Sequence, residues 1–200
     1  MCYAPVWSCL LSDGEPGAFA WWAPELFQHY AGHLALLFSH HPTLEKKIKN
    51  SIWPAATFNL GPRTVCIQHR DAANLAYGWC AITALGNFNP ASGGHLILWD
   101  MKLVIEFPPG ATVLIPSSVV VHSNTRLQEG DEQMSFTQYA AGGLFHWMDN
   151  GFQSSNAFKR ADPMGKKRVD EGAFRRWQHG LDLFQTVKGL KEWFHLESIA

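Results

Sequence analysis

Gly93-Gly94-His95-Leu96-Ile97-Leu98-Trp99-Asp100-Met101-Lys102-Leu103-Val104-Ile105-Glu106-Phe107-Pro108-Pro109-Gly110-Ala111-Thr112-Val113-Leu114-Ile115 holds three short apolar runs in one stretch. Each run is too brief for an ordinary helix and rich in Val, Ile and Leu, so each reads as a strand. Pro108-Pro109-Gly110 enforces a turn between the second and third, since proline has no N–H and glycine tolerates positive φ. The strands are His95–Trp99, Leu103–Phe107 and Ala111–Ile115. The same pattern extends outward to Thr64–Ile67 and Cys80–Leu85 upstream, and to Val119–His122 and Ser135–Tyr139 downstream. Asn87-Phe88-Asn89-Pro90 and Gln128-Glu129-Gly130-Asp131 supply further turns. About seven short strands with close turns fit a sandwich or small barrel. Helices flank the strands rather than alternate with them, which argues against a doubly wound parallel sheet.

Upstream, Pro24 and Glu25 suit the first turn of a helix. Leu26, Phe27, Tyr30, Leu34, Leu37 and Phe38 give it one apolar face, and Pro42 ends it. A second short helix is expected from Leu44 to Ile52, with Lys46, Lys47 and Lys49 on its wet side. The first twenty residues, with Gly14, Pro16 and Gly17, read as irregular. After Gly142-Gly143 the pattern is helical again. Lys159, Arg160, Lys166, Lys167 and Arg168 form a basic loop, and Phe174, Trp177, Leu181 and Phe184 define a helix face that docks. The organisation expected is an irregular segment over 1–20 and a domain over 21–153, with helices in 24–52 and a β core in 58–140. The basic loop and amphipathic C-terminal helix, packed on the core, follow over 154–200.

The chain has 200 residues, 46% hydrophobic and 16% charged, enough apolar material for a sizeable core. Its net charge of −1 excludes a uniformly basic nucleic-acid coat, but the charge is uneven. Residues 1–150 carry 7 cations against 11 anions, and residues 151–200 carry 9 against 6. Any nucleic-acid surface therefore leans on the tail. Cys2, Cys9, Cys66 and Cys80 form no C-x-x-C pair, so a disulfide scaffold or thiolate zinc cluster is not expected. The N-terminal residues lack the positive start of a signal peptide, so no secretion signal is expected, and no apolar run reaches membrane-spanning length. The expectation is an intracellular, reduced protein, nuclear rather than cytoplasmic.

His69-Arg70-Asp71 carries the chemistry. On an extended strand, residues two apart share a side, so the imidazole and the carboxylate converge. His122, on a later strand, is the best third ligand. Two His and one carboxylate form the facial set of non-haem Fe(II) oxygenases, which leaves coordination positions open. An H-x-D tripeptide also arises by chance, and a surface His–Asp pair with an unrelated strand His is the rival reading. Glu25, His29 and His33 stack on one helix face and are a second, weaker metal set. Ser117-Ser118 and Ser154-Ser155 lack the G-x-S-x-G context of a serine hydrolase.

His69-Arg70-Asp71-Ala72-Ala73-Asn74 resembles the HRDxxN segment of the TET/JBP nucleobase dioxygenases. The stretch from Phe58 to Gln153 is similar to the fungal, basidiomycete, transposon-associated branch of that family. It includes Phe58-Asn59-Leu60-Gly61-Pro62, Gly78-Trp79-Cys80-Ala81-Ile82, Gly93-Gly94-His95-Leu96-Ile97-Leu98-Trp99-Asp100 and Ser135-Phe136-Thr137-Gln138-Tyr139. The resemblance implies an α+β fold whose mainly β core is a double-stranded β-helix (jelly-roll, cupin-like), flanked by N-terminal and C-terminal helices. It implies His69, Asp71 and His122 as iron ligands, Asn74 as a hydrogen-bonding partner of the target base, and Tyr139 as the aromatic that stacks on it. Ser135 matches the serine of an Arg-x-Ser pair that holds the distal carboxylate of 2-oxoglutarate.

Two positions depart from that pattern. Gln133 stands where the arginine is expected, and Ala141 stands where animal members have a base-contacting histidine. Arg63, Arg70 and Arg126 are the candidates to supply the missing charge, with Arg63 assigned to the cofactor and Arg70 to the substrate. The function implied is an Fe(II)/2-oxoglutarate dioxygenase that uses O2 to oxidise the methyl group of 5-methylcytosine or a similar base in DNA. The expected enzyme is a monomer with no membrane partner. The alternatives are a catalytically degenerate DNA-binding relative and a β-helix oxygenase acting on a small molecule.

Overall fold

The computed structural model describes residues 17–46 and 48–195. These divide into two compact units, one over 53–145 and the other combining 17–52 with 146–195.

The first unit holds seven strands: β1 (Ala55–Asn59), β2 (Cys80–Asn87), β3 (Leu96–Leu98), β4 (Leu103–Ile105), β5 (Thr112–Ile115), β6 (His122–Asn124) and β7 (Glu132–Tyr139). They form a four-stranded sheet in the order β1-β7-β2-β5 and a three-stranded sheet in the order β4-β3-β6. All pairings are antiparallel. Pro108-Pro109-Gly110 forms the expected turn. Gly110 has φ 83°, and the Ala111 N–H donates to the Pro108 carbonyl at 2.9 Å. Buried Cys80 and Ala84 of β2, Leu96 and Leu98 of β3 and Ile115 of β5 pack with Phe88, Phe107 and Val120 in one apolar cluster between the sheets. Burying a large aliphatic or aromatic side chain contributes ~1.5–3 kcal/mol, so this cluster anchors both sheets.

The strand pattern differs from expectation most in three places; elsewhere strand ends shift by one to three residues, as at β7, which begins at Glu132 and not Ser135. Thr64–Ile67 is no strand. It is bridged only near its ends, Arg63 to Gln133 and His69 to His122. Between them the Asn124 side chain takes over the ladder: its Nδ2 donates to the Thr64 carbonyl at 2.8 Å and its Oδ1 accepts from the Cys66 N–H. Val119–Val121 form a turn rather than the start of a strand, because the Pro116 carbonyl accepts from both Val119 and Val120. β6 therefore begins at His122. β1 was not read as a strand, since Ala55-Ala56-Thr57 has no alternation to detect.

In the second unit, α1 (Ala18–Trp22) and α2 (Pro24–His40) precede the strands. α2 begins with Pro24 at its first position and buries Leu26, Tyr30, Leu34 and Leu37. Residues 17–20 thus lead into a helix instead of remaining irregular; residues 1–16, including Cys2 and Cys9, lie outside the described residues. No helix forms over the described part of 44–52. A segment that short is marginal without a face to bury, and Leu44 is exposed. Lys47 lies outside the described residues.

After α3 (Gly142–Asp149) come α4 (Ser155–Ala161), α5 (Pro163–Glu171), α6 (Ala173–Asp182) and α7 (Val187–Trp193). The expected basic loop is therefore mostly helical. Ser154 caps α4 by accepting from Ala157, and Asp162 caps α5 by accepting from Gly165 at 2.7 Å. The expected apolar face is covered unevenly: Phe174, Trp177 and Leu181 are exposed, Phe184 is half-buried, and Gly180 within α6 and Leu183 one position beyond it are buried. Among the described residues, no helix is long and apolar enough to cross a membrane.

Candidate metal centre

The His69–His122 backbone bridge brings the site together. The His69 N–H donates to the His122 carbonyl at 3.0 Å, and the His122 N–H returns a bond to His69 at 2.9 Å. The two imidazoles lie side by side, with ring centres 4.4 Å apart. Asp71, two residues beyond His69, is fixed by its N–H donating to the Ser117 carbonyl at 2.9 Å. One ligand atom from each of His69, Asp71 and His122 lies within 4.8 Å of the others.

The tautomers are set by backbone acceptors. A carbonyl oxygen can only accept, so a ring nitrogen facing one carries the proton. His69 Nδ1 faces the Ile67 carbonyl at 2.7 Å, and His122 Nδ1 faces the Val120 carbonyl at 3.0 Å. In its neutral form each ring therefore presents the Nε2 lone pair. These Nε2 atoms lie 3.6 Å from Asp71 Oδ1 and 3.9 Å from Asp71 Oδ2 respectively. Two lone pairs and one carboxylate facing one point form a donor set of net charge −1, suited to a divalent first-row metal. The carbonyl bonds to Nδ1 are the outer contacts that hold metal-binding imidazoles in orientation. The residues present fit a metal ion.

The site opens into a cleft of about 480 Å³. Gln133, Ser135, Thr137 and Tyr139 alternate along β7 and all line it, because residues two apart on a strand share a face. Asn74 lines it too. Its Nδ2 donates to Ser117 Oγ at 3.0 Å and to Asp71 Oδ2 at 3.4 Å. A carboxylate only accepts, so this contact fixes the amide with its nitrogen toward Asp71. Thr57 Oγ1 donates to the Tyr139 hydroxyl at 3.5 Å. Gln133 is 4% exposed; its Nε2 donates to the Gly94 carbonyl at 3.3 Å and its Oε1 accepts from Asn124 at 3.2 Å.

Of the residues named from sequence, the structure gathers His69, Asp71, His122, Asn74, Gln133, Ser135 and Tyr139 around this one cleft. It does not bring Arg63 or Arg70 there. Both are exposed and neither lines the cleft. Arg70 turns outward because its Nε donates to the Val119 carbonyl at 2.8 Å and its Nη2 reaches Asp100 at 3.5 Å. Arg126 is likewise exposed and outside the lining. Among the described residues that line the cleft, none is a lysine or arginine. The residues present do not fit the second carboxylate of 2-oxoglutarate, which they would leave without a counter-charge.

Sequence reading missed Asn124, Asn59 and Cys66 as lining residues. Asn124 was accessible by parity, two residues from His122 on the same strand. Cys66 is half-buried, and burial and the nearby Asp71 charge push its thiol pKa up. In the rival set of the second unit, the His29 and His33 ring centres lie 4.3 Å apart, but the set does not meet the spacing of a metal site. His33 Nε2 is 3.2 Å from Asp149 Oδ1, and this partner raises the His33 pKa, while burial and then His33 and His179 push His29 down to about 4. Among the described residues, only the His69–Asp71–His122 group meets the spacing of a metal site.

No family model matches the sequence, and no curated protein matches it. Among solved structures, the chain is similar to NgTET1 in complex with 5mC DNA, at 16% identity and a TM-score of 0.41, covering 63% of this chain and 55% of that one. It is also similar to the viral collagen prolyl hydroxylase vCPH from Paramecium Bursaria Chlorella virus-1, in its 2OG complex. That match has 12% identity and a TM-score of 0.32, covering 56% of this chain and 68% of that one. The chain spans about half the length of the NgTET1 chain it matches.

Proposed function

We propose that the chain is a non-haem Fe(II) oxygenase that uses a 2-oxo acid and dioxygen to hydroxylate the methyl group of a methylated nucleobase, such as 5-methylcytosine in DNA. In this reading the two sheets are the walls of a double-stranded β-helix. The observation that carries the proposal is the convergence of the His69 and His122 Nε2 lone pairs on the Asp71 carboxylate at the wall of an open cleft. Bound Fe(II) with a 2-oxo acid supplies a four-electron reduction of O2, two electrons coming from decarboxylation of the oxo acid and two from the substrate C–H bond.

The chain's own groups orient the partners. Asn74 holds Asp71 through Nδ2, which leaves its Oδ1 to accept from an amino or imino N–H on the edge of a base. Tyr139 offers a ring for the base to stack on, with its hydroxyl held by Thr57. A base reaches such a site only when it is extruded from the duplex, so the substrate is a flipped or single-stranded nucleotide.

The test is a 5-methylcytosine oligonucleotide incubated with the Fe(II)-loaded chain, a 2-oxo acid and O2, with the nucleosides then analysed by mass. Gain of one oxygen on the methylated base, absent with His69→Ala, is the expected result. Fe(II) uptake with no product on any methylated oligonucleotide, but with turnover of a small molecule, would refute the nucleobase assignment.

A further inference from the structure

The cleft has a neutral end. Asn124 lies two residues beyond His122 on β6 and shares its face, which places it about 7 Å along the strand from that ligand. Its amide donates to Gln133 Oε1, so the Asn124–Gln133 pair stands one short chain length from the metal group. Close by, Asn59 Nδ2 donates to Ser135 Oγ at 2.9 Å. Apart from the Cys66 thiol, the polar side chains here are amides and hydroxyls. Arg63 shares a backbone bridge with Gln133, yet its side chain is exposed and outside the lining. Ile82, Leu96 and Phe107 complete the wall with apolar surface.

A 2-oxo acid held at the metal by its oxo and first carboxylate groups has a tail long enough to reach this end, about 7 Å away. A second carboxylate there would lose its water and gain no counter-charge, which is the costly way to bury an ion. An uncharged tail meets apolar wall and neutral amides at no such cost. We propose that the co-substrate is a 2-oxo monocarboxylic acid with an uncharged tail, rather than a dicarboxylate such as 2-oxoglutarate. Gln133 is the residue that sets this choice. The inference rests on the oxygenase reading above and narrows its co-substrate.

The matched probes are 2-oxopentanoate and 2-oxoglutarate, which have the same carbon chain and differ in the terminal carboxylate. Fe(II) is first titrated into the anaerobic chain and its uptake measured directly. Each acid is then added, and the visible charge-transfer band of the chelate gives its affinity. The expected result is Fe(II) uptake and 2-oxopentanoate binding roughly tenfold or more tighter than 2-oxoglutarate. Gln133→Arg should reverse the order, since a guanidinium fork pairs with a carboxylate. The wild-type comparison decides the question even if that variant does not fold. Fe(II) uptake with 2-oxoglutarate bound as tightly as 2-oxopentanoate, or more tightly, overturns this inference and leaves the oxygenase reading standing. Absence of Fe(II) uptake overturns both.

Discussion

His69→Ala and His122→Ala should part company in stability while agreeing in metal binding. Each removes one of three ligands, yet the two rings sit differently. The His69 side chain is 37% exposed, and the backbone bridge to His122 does not depend on it. Its replacement should change stability by no more than ~0.5 kcal/mol, as for other surface positions. The His122 side chain is 6% exposed and donates to the Val120 carbonyl. Truncation there strands a buried acceptor and opens a void, at a cost of ~1–3 kcal/mol. For a chain of this length each kcal/mol corresponds to ~2–4 °C in Tm. The assay is thermal unfolding with and without divalent metal under anaerobic conditions. Metal at a hundredfold over Kd stabilises the wild type by ~2.7 kcal/mol, and that increment should vanish in both variants. A His69→Ala chain that keeps the metal-dependent rise in Tm would refute the three-ligand site.

Tyr139→Ala should weaken binding of a methylated single-stranded oligonucleotide by ~1–3 kcal/mol, the range for one stacked base, with Fe(II) affinity unchanged; gel shift and metal titration read the two quantities. Asn74→Ala releases Asp71 and should lower Fe(II) affinity by roughly 10–100-fold, as loss of an outer partner of a ligand does, measured by competition with a chelator. The His29 and His33 pair should give opposite pH dependences. His29, pushed down to about 4, stays neutral in the folded chain while the unfolded chain protonates near 6.5, so its contribution is present above 6.5 and is lost as pH falls towards 4. His33 is raised by Asp149, so its contribution is present below 6.5 and is lost as pH rises through the folded value. Tm measured from pH 4 to 8 should fall less on the acid side in His29→Gln and less on the alkaline side in His33→Gln; identical profiles for both variants and wild type would show that neither imidazole is perturbed.

Legibility in the sequence followed the range of the forces involved. The strands that alternate or end in Pro and Gly turns were readable, because local chemistry decides them. His69 and Asp71 were paired by strand parity, yet His69 holds only an isolated bridge and Asp71 lies outside any strand; the bridge to His122 and the Asp71–Ser117 bond are what bring the three side chains together. Thr64–Ile67 was misread as a strand because a side chain, Asn124, satisfies its backbone from roughly sixty residues away, and no local pattern records that. The orientations of Arg63 and Arg70 were equally hidden. Arg70 is turned by the Val119 carbonyl and Asp100, partners that become neighbours only after the sheets assemble. The basic stretch was read as a loop, whereas Ser154 and Asp162 cap the helices α4 and α5 within it.

The bridge between His69 and His122 joins two points separated by roughly fifty residues of chain, and that separation has a kinetic consequence. Closing so long a loop is entropically slow, and the bridge fastens its neck with two backbone hydrogen bonds, flanked by the Asp71–Ser117 and Cys66–Asn124 bonds. A metal shared by the two imidazoles would act as a clasp at the neck of that loop. Opening the neck would then require ligand dissociation as well as strand separation. The loaded chain should therefore unfold more slowly than the metal-free chain by more than its gain in folding rate, and a protease that cuts the opened loop would report the occupancy of the site.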